Sequence, residues 1–425
     1  MKIICAPRTF DFAKKDWDAR IVLFSQSEDK SVGSIGAAIA AKIRRLKLTP
    51  TPLAWDFLSI ALSCYASDLA GHRQKSPDGW TRVFDLTVSV SQPDFWSSVA
   101  SELEMALQFL TTDIWSINFV KGGYQPKPHR KENKQSGDSV ALLSGGLDSL
   151  IGAIDLSTDG FEPVAVSQIA RGDKQKQIDF PKLIGGGLDS ILLTHGARIP
   201  NAEKPASQRS RSIVFVAYSV LVASCIRNKS TTEKTNCYIS ENGFISLNPP
   251  LTPMRIGSLS TRTTHPFYLS KLQHVLDTGG FQIQFINNYS FKAKGEMMLE
   301  CADQKLLQKI AHTATSCGRF LHFNYKHCGR CVPCLVRRAA FLKWGVPDRT
   351  AYKYSNIGLK NDDHAGFDDV RATAIACLDE SERGTNLWAG ATVVPNEMLD
   401  QSKQRAMLGR GLEELRVLLV KYGVI

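Results

Sequence analysis

Nowhere does this chain come near the roughly 18 consecutive apolar residues that a membrane-crossing helix needs. Its N-terminus, Met1-Lys2-Ile3-Ile4-Cys5-Ala6-Pro7-Arg8, has one early lysine and too short an apolar run for a signal peptide. It reads as the start of a strand, and a cytoplasmic location without a membrane partner is the expectation. Lysine and arginine never run longer than three, so there is no basic arm of the kind that wraps nucleic acid. A cytosolic chain is kept reduced, so its ten cysteines are not expected to form disulfides.

What is present is an ordinary soluble composition, 43% hydrophobic and 22% charged, in 425 residues. That length suits two or three domains. Lysine plus arginine number 52 against 41 aspartate plus glutamate, a formal charge of +11. The balance suits a polyanion or nucleotide phosphates, and equally a mildly basic surface with no specific partner. Nucleic acid is left open without being favoured.

Residues 1–124 form a candidate accessory α+β domain. Thr81 to Val90 alternates like a strand, while Trp55 to Leu69 places apolar residues at 55, 58, 62, 65 and 69, as a helix does. Tryptophans at 55, 80, 96 and 115 imply a core. Nothing here looks catalytic, and partner binding or substrate gating is the expected role. Residues 125–137 are polar, basic and contain proline, so they read as a linker. From Ser139 strand and helix signals alternate, the pattern of a parallel sheet with crossover helices, and this second domain is placed at 138–345. Residues 346–425 look mainly helical, with Leu408, Leu412, Leu415, Leu419 and Tyr422 on one face.

Ser144-Gly145-Gly146-Leu147-Asp148-Ser149 follows the apolar run Val140 to Leu143 and opens a helical pattern with Leu147, Leu150, Ile151 and Ile154 on one side. At a strand–loop–helix junction backbone N–H groups are free and the helix dipole favours an anion. The glycines allow close approach to a phosphate, and Ser144 and Ser149 offer hydroxyl donors. Asp148 cannot welcome a bare phosphate. It holds a bridging Mg²⁺ or fixes the loop. The near-copy Gly185-Gly186-Gly187-Leu188-Asp189-Ser190 lacks a buried strand before it and reads as a turn.

Cys328, Cys331 and Cys334 stand at two-residue gaps, with Cys317 upstream. Four thiolates close a tetrahedral zinc site, and an iron–sulfur cluster is the competing reading. His322 and His327 could each replace one thiolate. The helix-like stretch after Cys334 would be pinned by the metal beside the second domain. The other six cysteines are expected to be small buried hydrophobes.

The loop is neither GxxxxGK[ST] nor GxGxxG. It resembles the Ser-Gly-Gly-x-Asp-Ser loop of the PP-loop ATP pyrophosphatases, which implies a HUP-like parallel sheet with flanking helices, ATP and Mg²⁺. It also implies scission of ATP between the α and β phosphates, with adenylation of a carboxyl oxygen. With the downstream Cys-Gly-x-Cys-x-x-Cys-x-x-Arg, whose arginine is Arg337, the chain resembles the QueC family of 7-cyano-7-deazaguanine synthases. Arg211 to Ala217 and Lys294-Gly295-Glu296 resemble two further family stretches, although Arg209-Ser210-Arg211-Ser212 lacks the family's Gly and Asn. The additions at both ends, and Arg262-Thr263-Thr264-His265-Pro266, are similar to the QueC-like subgroup (QatC) of the Qat anti-phage defence system. That resemblance implies a deazaguanine-like carboxylate substrate, amide or nitrile formation or transfer to a protein amine, a structural Zn²⁺, and Qat protein partners met through residues 1–124. It implies a catalytic set of Asp148, Arg211 and Lys294: Arg211 at the α-phosphate, Lys294 steadying pyrophosphate at the head of a helix that carries Met298, Ala302, Leu306 and Ile310. Arg262 and His265 would greet an acidic substrate. A PP-loop tRNA-modifying enzyme and a non-catalytic ATP-binding scaffold are the alternatives.

Overall fold

The computed structural model describes residues 1–12, 16–127, 135–204, 209–226, 233–249, 251, 262–358 and 367–425. Its strands fall into two five-stranded sheets, and every strand pairing is parallel. The first holds β1 (Lys2–Pro7), β2 (Ala19–Leu23), β3 (Gly33–Ile35), β4 (Val83–Val90) and β5 (Ile114–Lys121), in the order β3-β2-β1-β4-β5. The second holds β6 (Ser139–Leu142), β7 (Pro163–Gln168), β8 (Ser190–Leu193), β9 (Thr235–Tyr238) and β10 (Ile283–Ile286), in the order β10-β9-β6-β7-β8. In both, the chain starts at the centre, runs out to one edge, and returns to fill the other side. This doubly wound order leaves a crevice where the direction reverses, between β1 and β4 and again between β6 and β9.

The strands of such a sheet are covered on both faces, so they read as unbroken apolar runs rather than alternating ones. β6 and β7 are buried at every position. The helix Pro52–Ala70 covers the first sheet and packs on the helix Arg211–Ala223, which covers the second. Thr51 starts the former by accepting a hydrogen bond from the Ala54 N–H, with Pro52 in the first turn. A helix apolar all round belongs inside, and every residue from Ala54 to Ala70 is buried. Ser59, Ser63 and Ser67 are accommodated because each hydroxyl donates to the carbonyl four residues back.

One hydrophobic core therefore runs from Ile3, Leu86 and Trp96 through to Val140, Val166 and Tyr218. Residues from both sides of 125–137 belong to this core. Two more contacts seal the join. Ser34 and Arg198 exchange backbone hydrogen bonds of 2.9 and 2.8 Å, which covers the edge of β3. Buried Arg82 bridges Asp68 and Asp113, and Asp68 in turn accepts the Ser210 N–H at 3.1 Å and the Ser210 hydroxyl at 2.7 Å, fixing the start of the Arg211–Ala223 helix.

Three expectations change. The first region is α/β rather than α+β, because all four of its strand pairings are parallel and helices lie between β3 and β4 and between β4 and β5. Trp80 is not in the core: it is 46% exposed and lies under the guanidinium groups of Arg73 and Arg209. The single helix expected after Lys294 is two, Lys294–Glu300 and Gln304–Ile310. Asp155 accepts the Ala302 N–H at 2.8 Å and Asp303 caps the second helix through the Leu306 N–H, so the chain restarts there, and Ala302 is exposed. The C-terminal helix Gln401–Lys421 buries Leu408, Leu412, Leu415 and Leu419 as its spacing predicts.

Candidate functional site

β6 hands the chain to the loop at the reversal point of the second sheet. Gly145 has φ +91°, and a Cβ there would sit 3.1 Å from that of Asp173. The helix Leu147–Thr158 follows at once. The two serines brace the turn: Ser149 Oγ accepts the Ser144 N–H at 3.2 Å, and Ser144 Oγ accepts the Gly146 N–H at 3.1 Å. From outside, the Thr315 N–H donates to Gly145 O at 3.0 Å, and Gln177 Nε2 donates to Ser144 O at 2.9 Å. Lys176 Nζ sits 2.9 Å from Asp173 Oδ1 beside the same loop and also bonds Thr315 Oγ1.

Asp148 points inward from the first turn. Its Oδ1 lies 2.5 Å from Lys294 Nζ, and its Oδ2 accepts Asn242 Nδ2 at 2.7 Å and the Asn242 N–H at 3.2 Å. Burial works to raise its pKa, but the Lys294 charge and the hydrogen bonds from Glu241, Lys294 and Asn242 hold it well below the usual carboxylate range. Glu241 is the converse case. Burial first, then the Asp148 charge beside it, push its pKa far up, so this pair of carboxyls keeps one proton. The sequence pattern gave no reason to single out Glu241 or Asn242. The available signal was position: Ser240-Glu241-Asn242-Gly243 begins one residue beyond the end of β9, the other strand of the reversal point. Asn242 also caps the short helix Gly243–Leu247. Gly152 explains how closely the halves approach, since a Cβ there would come 2.0 Å from Ser240 Oγ.

The loop, Asp148, Lys294, Ser240 and Glu241 line a cleft of about 270 Å³, together with Thr263, Thr264 and residues 315–318. Ser144, Gly146, Leu147, Asp148, Ser149 and Lys294 are thus brought together. Arg211 is not among the residues lining this cleft. It heads its helix where its charge acts on His195, Tyr218 and Tyr65. Arg262 is turned toward the first region, donating to Phe109 O at 2.8 Å and lying over the Phe109 ring. His265 accepts the Phe267 N–H as a helix cap, and burial pushes its pKa down to about 4. Residues 252–261, the loop before them, lie outside the described residues. The Gly185 to Gly187 stretch is a turn ahead of β8, as read from sequence.

The sulfur atoms of Cys317, Cys328, Cys331 and Cys334 all lie within 4.8 Å of one another, and the four residues are buried. Two pairs, Cys317–Cys331 and Cys328–Cys334, stand at 3.8 Å. Four thiolates at about 2.3 Å from one tetrahedral ion are about 3.8 Å apart, so the cluster fits a single metal such as zinc. A cubane of iron and sulfide would hold its ligands farther apart. Backbone N–H groups of Arg319 and Cys328 point at Cys317 Sγ, those of Arg330 and Cys331 at Cys328 Sγ. Neither histidine joins: His327 accepts the Ser316 N–H at 3.1 Å, and His322 is exposed. Arg337 serves the same region from below. Fully buried, it donates to the carbonyls of Ala311 and Ala314 and to Thr350 and Ser316, fixing the segment that meets Gly145. The cluster thereby joins the helix Val332–Trp344 to the wall of the cleft, where Cys317 and Pro333 both appear. The remaining six cysteines are buried, as expected for small hydrophobes.

No protein-family model, no curated protein and no solved structure matches the chain. No helix among the described residues is long and apolar enough to cross a membrane. Fold and site together define an α/β protein of two doubly wound parallel sheets, with a polar cleft at one reversal point and a four-cysteine cluster able to hold a metal such as zinc beside it.

Proposed function

We propose that the chain is an ATP-dependent adenylating enzyme of QueC type, acting on a deazaguanine-like carboxylic acid, with a structural zinc, and serving within a Qat-type defence system. The observation that carries this is the position of Ser144 to Ser149: a Ser-Gly-Gly-x-Asp-Ser loop at the carboxyl end of β6, on the reversal point where doubly wound sheets bind ligands. On this reading the loop hydroxyls and N–H groups receive the triphosphate. Asp148, ionised and facing the cleft, would hold the accompanying Mg²⁺ and supply charge neutralisation at the phosphates. Lys294, drawn to Asp148 in the free protein, is placed to follow the leaving pyrophosphate. The acid's oxygen bonds to the α-phosphorus as pyrophosphate leaves with the P–O electron pair. An amine, from ammonia or a protein, then attacks the acyl carbon and AMP leaves. The deciding assay measures AMP and pyrophosphate with and without 7-carboxy-7-deazaguanine. Acid-dependent release of both supports the reading, and their absence with bound ATP supports the scaffold alternative.

One observation favours a sulfur-handling tRNA enzyme: Cys317 forms part of the cleft wall. Zinc at one equivalent per chain would commit that thiolate to the metal and count against it.

A further inference from the structure

The segments that bring Lys294 and Asn242 to Asp148 have little structure of their own. Lys294 opens a helix of seven residues, and Asn242 caps one of five. Helices that short do not hold themselves. The two segments are tied to each other, because the Gly243 N–H donates to Lys292 O at 2.9 Å. They also share a neighbour: the C-terminal helix Gln401–Lys421 packs against both short helices.

On the Lys294 side the contact is polar. Glu414 Oε2 accepts the Gly295 N–H at 3.1 Å. One turn earlier, Arg410 donates from Nε to Glu296 Oε1 at 2.5 Å and from Nη2 to Phe291 O at 2.9 Å. Arg410 and Glu414 are four apart, so they share one helix face. Glu296 also accepts the Ala293 N–H at 2.7 Å, closing the turn that Lys294 begins. The approach is closest at Gly295, where a Cβ would lie 2.5 Å from Glu414 Oε1 and 2.8 Å from Lys343 Cβ. On the Asn242 side the contact is apolar. A Cβ at Gly243 would lie 2.9 Å from Met407 Cε, and Gly411 leaves no room for one against the Phe244 ring. Glu414 is 8% exposed, a costly place for a carboxylate, and the Lys343 and Lys294 charges offset part of that cost.

Resting on the reading in which Lys294 follows the leaving pyrophosphate, we propose that Glu414 is a positioning residue of the candidate site: its hold on the Gly295 N–H, with Arg410 on Glu296, fixes where the Lys294 ammonium stands against Asp148. Glu414 is not among the residues lining the cleft, so it acts through Lys294. The C-terminal helix, which its sequence pattern describes as a packed terminal helix, is then a working part of the site.

The test reads Lys294 directly and turnover separately. Nitrogen-resolved NMR of the lysine ammonium groups should show a slowly exchanging Lys294 resonance in full-length wild type, assigned by its absence in Lys294→Met. In Glu414→Ala that resonance should shift or broaden. The kcat for acid-dependent AMP release should fall about ten- to hundredfold, as for a misplaced catalytic group. The KM for ATP should stay within about twofold, because an interaction made in the transition state is lost. Glu414→Gln, which keeps an acceptor for the Gly295 N–H, should recover most of both. Arg416→Met, which cuts the same helix's tie to Glu380, should change neither. Should Glu414→Ala fail to fold, Arg410→Met, at the exposed half of the same contact, carries the comparison with a smaller change in the same direction. No slowly exchanging Lys294 resonance in wild type, an unchanged one in Glu414→Ala and Arg410→Met, or an equal change in Arg416→Met overturns the positioning role. Wild type that releases no AMP or pyrophosphate with the acid removes the adenylation reading instead, and the Lys294 resonance still decides the role of Glu414.

Discussion

Lys294 Nζ stands 2.5 Å from Asp148 Oδ1, although the two are 146 positions apart in the chain. Both side chains are under a tenth exposed. Breaking a buried ion pair by removing one member leaves a charge without compensation, at a cost of about 3–5 kcal/mol. The two single changes should differ, because Asp148→Asn also removes the charge that helps keep Glu241 protonated. Lys294→Met strands Asp148 and should cost about 3 kcal/mol. In Asp148→Asn the lysine recruits an ionised Glu241, and the loss should be smaller by about 1 kcal/mol or more. Urea midpoints of the two variants at pH 7 check the order. Equal losses would mean that Glu241 does not take over.

The cysteine cluster yields a compositional prediction. Purified protein should carry one equivalent of zinc and show no visible absorbance. Cys328→Ser should lose the metal and lower the thermal midpoint, since metal-binding energy at such sites is folding energy. Because the Thr315 N–H holds Gly145 O, hydrogen exchange of the loop from Ser144 to Ser149 should quicken in the same variant.

Glu414 makes stability depend on pH. Its carboxylate faces the Gly295 N–H at 3.1 Å, and burial raises its pKa from 4.5 to about 7. Between those two values the folded chain binds more protons than the unfolded one, so this group lowers stability as pH rises from about 4.5 to about 7. Glu414→Gln keeps an acceptor for Gly295 and removes the penalty. The variant should match wild type near pH 4 and be more stable at pH 8 by about 1–3 kcal/mol in denaturant titrations.

A chain beginning at 138 should not fold, because the Arg211–Ala223 helix would lose the partner that buries Tyr218 and Val220. Full-length protein should unfold without an early, separate transition of residues 1–124. A first transition confined to those residues, seen by limited proteolysis, would contradict the shared core.

The features legible in sequence are those written in neighbouring residues. The strand–loop–helix at Val140 to Ile154, the four cysteines and the amphipathic face of Gln401–Lys421 all depend on short spacings, and the structure has them where expected. What stayed hidden depends on the return path of the chain. Glu241 and Asn242 gain meaning only once β9 pairs with β6, and Glu414 only once its helix meets Gly295. Trp80 looked like core because aromatic residues usually are, but two arginines provide it with a surface seat. The linker at 125–137 is read from composition, which reports polarity and is silent on the packing of the helices Pro52–Ala70 and Arg211–Ala223 against each other.

Asp56, finally, bears on stoichiometry. The first sheet has the same winding as the second, and its own reversal point lies between β1 and β4. There Asp56, fully buried, accepts the Ser91 N–H at 2.8 Å, the Ser91 hydroxyl at 2.6 Å and Trp96 Nε1 at 3.0 Å. A side chain of the chain itself thus takes up the N–H and O–H donors at this reversal point. If the cleft of the second sheet takes ATP as proposed, a titration with a phosphate-bearing ligand should close at one molecule per chain.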